Sequence, residues 1–165
     1  MKVDFISRLA GAGLTHVEAT AFVSPKWVPQ MADHREVLTR ISNSPEATEA
    51  GVTFPVLTPN LQGYRAAVEC GAREVAIFGA ASEAFSKKNI NCSIAESLAR
   101  FQPVLEAARE DGVAVRGEAG RPGGRETESL CCRLRLLCGR LSLPGQGGAQ
   151  PSGRGLQDSL RHGLL

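Results

Sequence analysis

The 165-residue chain has no apolar run near the roughly 18 residues that a membrane-crossing helix needs, which excludes an integral helical membrane protein. Met1 leads directly into Lys2, Val3 and Asp4, with none of the apolar stretch that marks a secretory signal. Charge of one sign is also scarce: the net charge is +2, too weak a field to argue for a nucleic-acid partner. Aromatic residues make up only 5% of the chain, and the G-x-G-x-x-G string of dinucleotide-binding sheets is absent. What remains is 42% hydrophobic and 22% charged, the composition of one globular domain.

A second set of absences divides the chain near Gly117. Residues 118–165 contain no Val, Ile, Phe, Tyr, Trp, Met or Lys, yet hold 10 Leu, 10 of the 18 Gly, seven Arg and three of the five Cys. Close packing needs apolar side chains of varied shape, and that tail has few. Residues 1–117 carry a balanced 12 basic and 13 acidic side chains and an ordinary apolar mixture.

The first part alternates helix and strand patterns. Val3–Ala12 places Phe5, Ile6 and Leu9 on one helical face, with Gly11 and Gly13 behind it. His16–Phe22 reads as a buried strand, Asp33–Ile41 as a helix, and Val52–Pro59 as a second strand whose prolines place it near an end or bend. Asn60 caps a helix from Leu61 to Cys70 that Gly71 stops. Glu74–Phe78 is a third strand, leading into a small-residue loop. Ser93, with Glu96 three residues on, opens a helix through Ala108 that ends at Gly112, and Val113–Val115 starts a fourth strand. Strands separated by helices imply a parallel sheet of βα units. Without the dinucleotide fingerprint, a TIM (β/α)8 barrel is favoured over an open sheet; about four units are visible, which is half a barrel.

The strings VEATAF, FVSPKWVPQMADH (Phe22–His34), PVLTPNLQG (Pro55–Gly63) and FGAASEAFSKKNINCSI (Phe78–Ile94) closely resemble the 3-hydroxy-3-methylglutaryl-CoA lyase family. The resemblance covers about residues 3–117. It implies a partial TIM barrel over 1–117, followed by an irregular tail over 118–165. It also implies a carbon–carbon lyase that splits 3-hydroxy-3-methylglutaryl-CoA into acetyl-CoA and acetoacetate, in leucine breakdown and ketone-body formation, with a divalent cation, Mg or Mn. That retro-Claisen chemistry needs a base for the tertiary hydroxyl, a polarising metal, and an acid for the enolate.

Carried over residue by residue, Glu18 matches the family's active-site glutamate. Lys88, Asn89 and Ser93 fall in its substrate-side loop, and Ala21 stands where close relatives have a serine. The family's Arg-Asp pair in a GPRDGLQ string, its His-x-His metal motif, its ligating asparagine and its cysteine in a GGCP loop have no counterpart here. The resemblance therefore implies the metal and an acyl-CoA substrate while leaving no metal ligand in this chain. It sets a catalytically inactive lyase fragment beside a non-catalytic fragment that pairs with full-length lyase. The family is mostly mitochondrial, whereas the lack of an Arg-rich, acid-poor leader implies a cytoplasmic chain if expressed as it stands.

Where the family continues with Tyr-Val-Ser-Cys-Ala-x-Gly-Cys-Pro-Tyr, this chain has LRLLCGRLSLPG (Leu134–Gly145). Permitted codons for that string, read one nucleotide later, give Tyr-Val-Ser-Cys-Ala-Val-Gly-Cys-Pro-Tyr-Gln. LRHGLL (Leu160–Leu165) gives Tyr-Gly-Met-Gly-Cys-Tyr by the same shift. The expectation is that Glu118–Arg133 is inserted sequence and Leu134–Leu165 is out of frame; the transcript sequence tests it.

Other candidate groups read as structural. His16, His34 and His162 lack metal-ligand spacing, and packing or surface roles are expected of them. Cys131, Cys132 and Cys138 form no C-x-x-C pair, and Cys70 and Cys92 are expected to be reduced thiols. The arginine–glycine strings of the tail have no aromatic residues between them to stack bases, so no nucleic-acid partner is expected.

Overall fold

The computed structural model describes residues 1–48, 50–120 and 141–142. Helix α1 (Lys2–Gly11) is followed by strand β1 (Thr20–Ala21), a 3-10 turn (Pro29–Met31), α2 (His34–Ser42) and the single-turn α3 (Pro45–Thr48). Then come β2 (Val56–Leu57), α4 (Leu61–Glu69), β3 (Glu74–Ala80), α5 (Glu83–Ile90), α6 (Ile94–Asp111), β4 (Ala114–Gly120) and β5 (Leu141–Ser142). All neighbouring strands are parallel, in the order β1-β2-β3-β4-β5.

That order is informative. A doubly wound sheet reverses its strand order at a switch point. Here each strand lies beside its predecessor in the chain, and helical crossovers of one hand then stack on one side of the sheet, which curls toward a barrel. The α/β expectation and its partial-barrel form agree with this topology.

Local signals explain most elements. The Asn60 side chain accepts from the Gly63 amide at 2.9 Å and starts α4. Ser93 and Glu96 form a reciprocal capping box on α6, each side chain accepting from the other's backbone N–H. Gly112, at φ 68°, closes α6 in the left-handed region that glycine enters without penalty.

The structure departs from the sequence reading in four places. The expected strand Val52–Pro59 shortens to Val56–Leu57, because Pro55 and Pro59 have no N–H to give to a ladder. The expected strand His16–Phe22 shortens to Thr20–Ala21, although Val17, Ala19 and Phe22 still donate to the carbonyls of Thr53, Pro55 and Leu57. β4 runs on to Gly120, past the composition break at Gly117. Residues 83–90, to which the sequence reading gives no element, form α5: Ser82 caps it by accepting from the Phe85 amide, and Lys87 and Lys88 sit in the last turn, where cations suit the helix dipole. The helical tendency expected around Ser129–Leu137 lies outside the described residues.

The core lies between the helices and the sheet. Leu38 and Ile41 of α2, Tyr64 and Ala67 of α4, and Phe101, Val104 and Ala108 of α6 pack with Val56, Val75 and Ile77. Tyr64 is fully buried, and its hydroxyl donates to Asp111 Oδ2 at 2.8 Å; burial and that carboxylate push the phenol's pKa far up.

Candidate functional site

Alternation along β4 buries Val115 and Gly117 and turns Arg116 and Glu118 to the other face together. Arg116 reaches across the sheet to the segment leading into β1. Its Nη2 stands 2.9 Å from Glu18 Oε2 and 2.9 Å from Glu118 Oε1. The side chains are 18%, 40% and 30% exposed for Arg116, Glu18 and Glu118, so the cluster is partly withdrawn from water. The Arg116 Nε is buried and has no hydrogen-bond partner among the described residues.

Burial is the main reason that the Glu18 carboxyl holds its proton more strongly than an ordinary glutamate. The neighbouring Glu118 charge adds to this, and the Arg116 guanidinium opposes it. A carboxyl poised upward in this way is the type of group that serves as general base or acid.

Thr20, two residues after Glu18, is buried, and its hydroxyl is directed to Met31 Sδ at 3.7 Å. His34 Nδ1 lies against the Met31 carbonyl and its ring packs 4.5 Å from that of Phe22, which gives it the packing role expected. His16 Nδ1 pairs with the Thr15 hydroxyl at 3.1 Å. His162 lies outside the described residues. Cys70 and Cys92 are free thiols.

Lys88 and Asn89 are exposed on the last turn of α5, in the segment following the carboxyl end of β3. Neither side chain makes a hydrogen bond or ion pair among the described residues. Ser93 is engaged at the α6 N-terminus, its hydroxyl accepting from the Glu96 amide at 3.1 Å. None of the three is bonded to Glu18. The structure thus joins Glu18 to two residues that sequence reasoning missed, Arg116 and Glu118. The available signal was the i, i+2 pair of opposite charges inside an otherwise small and apolar strand.

A hard divalent cation wants several oxygen or imidazole donors converging on one point. Among the described residues no three His, Cys, Asp or Glu side chains come together that way, and Glu18 and Glu118 already share Arg116. These residues do not fit a Mg or Mn site.

The HMGL-like family model matches residues 1–134. The bovine protein named mitochondrial hydroxymethylglutaryl-CoA lyase is 63% identical over 117 residues, which is 71% of this chain and 34% of that protein. The human mitochondrial enzyme is 57% identical over the same shares. A Danio rerio relative named as cytoplasmic is 57% identical over 71% of this chain and 33% of its own length. Among solved structures, the Pseudomonas aeruginosa hydroxymethylglutaryl-CoA lyase superposes with a TM-score of 0.76 at 45% identity, covering 92% of this chain and 52% of that one. An HMG-CoA lyase from Acinetobacter baumannii, in complex with coenzyme A and 3-methylmalate, gives 0.74 at 29% identity, covering 86% of this chain and 48% of that one. The chain spans about a third of the length of the curated relatives it matches. Sequential parallel strands, the family strings and a family model matched over most of the chain agree: this chain belongs to the HMGL-like family.

Proposed function

We propose that the described unit carries one part of a lyase site for 3-hydroxy-3-methylglutaryl-CoA, with Glu18 as its reactive carboxyl, and that the 165-residue chain alone does not turn this substrate over. The observation that carries the reading is Glu18 itself. It is a partly buried carboxyl with a raised proton affinity, fixed by Arg116 from across the sheet. Cleavage of a tertiary alcohol next to a thioester-bearing carbon needs a group that accepts the hydroxyl proton, and a carboxylate whose affinity for protons is raised does this better than an ordinary one. In this proposal Lys88, Asn89 and Ser93 line the side on which the acyl-CoA approaches. The Lys88 ammonium supplies a point charge for phosphate or carbonyl oxygen, and Asn89 and Ser93 supply hydrogen bonds. A bound Mg or Mn would polarise the hydroxyl oxygen, but the described residues offer no set of ligands for it. The rest of the chemistry therefore lies beyond them.

The test is acetoacetate formation by the full chain with Mg or Mn and 3-hydroxy-3-methylglutaryl-CoA. The expected result is no turnover above that of the Glu18→Gln variant; turnover that this substitution abolishes would overturn the inactive reading. A second role is favoured by one observation: β1 has a neighbour on one side only among the described residues. Such an edge invites pairing with another chain, here full-length lyase. Co-purification of the two chains, lost when β1 carries a Thr20→Pro substitution, would support it, and separate elution of intact partners would count against it. The proposal includes a cytoplasmic location, and a tagged chain found in the mitochondrial matrix would contradict it.

A further inference from the structure

One guanidinium nitrogen holding two carboxylates is an unusual economy. Arg116 has five N–H donors arranged to grip a single carboxylate with two parallel bonds. Here neither carboxylate obtains that grip: Glu18 and Glu118 each take one contact at Nη2, both at 2.9 Å, while Nε remains buried without a partner. If both acids are ionised, the cluster carries one uncompensated negative charge in a region partly withdrawn from water. If one proton stays on the pair, the cluster is neutral. Two carboxylate oxygens held 2.9 Å from the same nitrogen place the Glu118 charge directly beside Glu18.

We propose that Arg116 is the positioning residue of Glu18 and that Glu118 competes with Glu18 for that single guanidinium. Glu118 lies on the face of β4 that Arg116 shares. In this chain it shares Arg116 with Glu18 and adds a negative charge beside it, which keeps Glu18 in its protonated form to higher pH. The groups that face Glu18 are Arg116 and Glu118, both from β4; no other described charged side chain bears on it. The inference builds on the reading of Glu18 as a reactive carboxyl, but its test does not depend on turnover, so the two can fail separately.

The experiment is a pH titration of the glutamate side-chain carboxyl carbons by NMR on the full chain, with Glu18 and Glu118 assigned by substitution. In the unaltered chain the Glu18 midpoint is expected above the ordinary glutamate range. Glu118→Gln, which keeps the shape and removes the charge, should lower the Glu18 midpoint toward that range. Arg116→Gln should raise the Glu18 midpoint further, and Arg116→Lys should raise it less. If Arg116→Gln does not fold, Glu118→Gln and Arg116→Lys decide the matter. A Glu18 midpoint unmoved by Glu118→Gln, in a chain whose amide exchange shows β4 intact, would overturn the proposal. A residue of merely structural importance would change stability and leave these midpoints where they were.

Discussion

Two strand pairs, which can be called the long and the short end of the β1–β4 sheet, are held together differently. β3 and β4 are paired through seven successive residues, from Glu74 with Ala114 to Ala80 with Gly120. β1 and β2 are paired through two. Yet burial does not follow the ladder: Val56, Leu38 and Ile41 at the short end are as fully buried as Val75 and Ile77 at the long one. Where prolines deprive the backbone of donors, side chains and helices replace the ladder. Lys2 bonds to Asp33 and to the Gln30 carbonyl, tying α1 to the entry of α2, and Arg35 meets Glu69 at 3.2 Å, tying α2 to α4. A continuous ladder holds one end, while scattered backbone bonds, packing and exposed ion pairs hold the other. Exposed pairs contribute little each, so the second end is the weaker.

The strongest way to break this contrast is to empty the long end. Ile77→Ala removes a fully buried side chain of β3 and is expected to cost about 2–5 kcal/mol, read by urea denaturation. Amide exchange should then quicken at β3 and β4 as well as at β1 and β2. Loss confined to the short end would show that the ladder alone carries the long one. Next is Gly63→Ala in α4, where an added Cβ would stand 2.8 Å from the Phe22 carbonyl oxygen and 3.1 Å from Pro59 Cδ. Backbone cannot give way cheaply there, so despite the better helix propensity of alanine a net loss of about 1–3 kcal/mol is expected. A stabilised variant would refute that close approach.

Smaller effects sharpen the comparison. Ser93→Ala unmakes the capping box and should cost about 1 kcal/mol, with faster exchange in the first turn of α6. Tyr64→Phe removes the bond to Asp111 between α4 and the last turn of α6, again for about 1 kcal/mol. The smallest expected effect is on acid stability. The Ser93 backbone amide and hydroxyl hold the Glu96 carboxyl below its ordinary range, and Lys2 does the same for Asp33. A depressed folded-state value stabilises at pH above the unfolded-state value, and that gain is lost as pH falls through the folded one. Denaturation midpoints should therefore drop on acidification below the ordinary carboxylate range, and less so in Glu96→Gln; an equal drop would remove the capping box as a cause.

Helix starts were legible from sequence because they depend on one or two nearby residues: Asn60 and Ser93 each bond within three positions of themselves. Strand lengths were less so, since a ladder needs a donor on a partner that the local pattern does not display, and Pro55 and Pro59 shortened β2. α5 was hidden because its apolar positions are few; Phe85 remains 47% exposed, so there was little periodicity to read. Glu18 was found through resemblance alone. Arg116 lies 98 positions away in the chain, and only the folded sheet brings the two together.

The sequential strand order has a consequence for synthesis. Each strand from β2 to β4 docks on the one made just before it, so no segment must wait for a partner still to be translated. Growth from one edge, unit by unit, matches the direction in which a ribosome delivers the chain, and domains emerging amino-terminus first can begin to fold in that direction. A sheet that reverses its order midway must instead hold an edge open until later strands arrive. Here the nascent chain has a partner for each new strand as it appears, and the growing edge is at any moment the one that the next unit is about to cover.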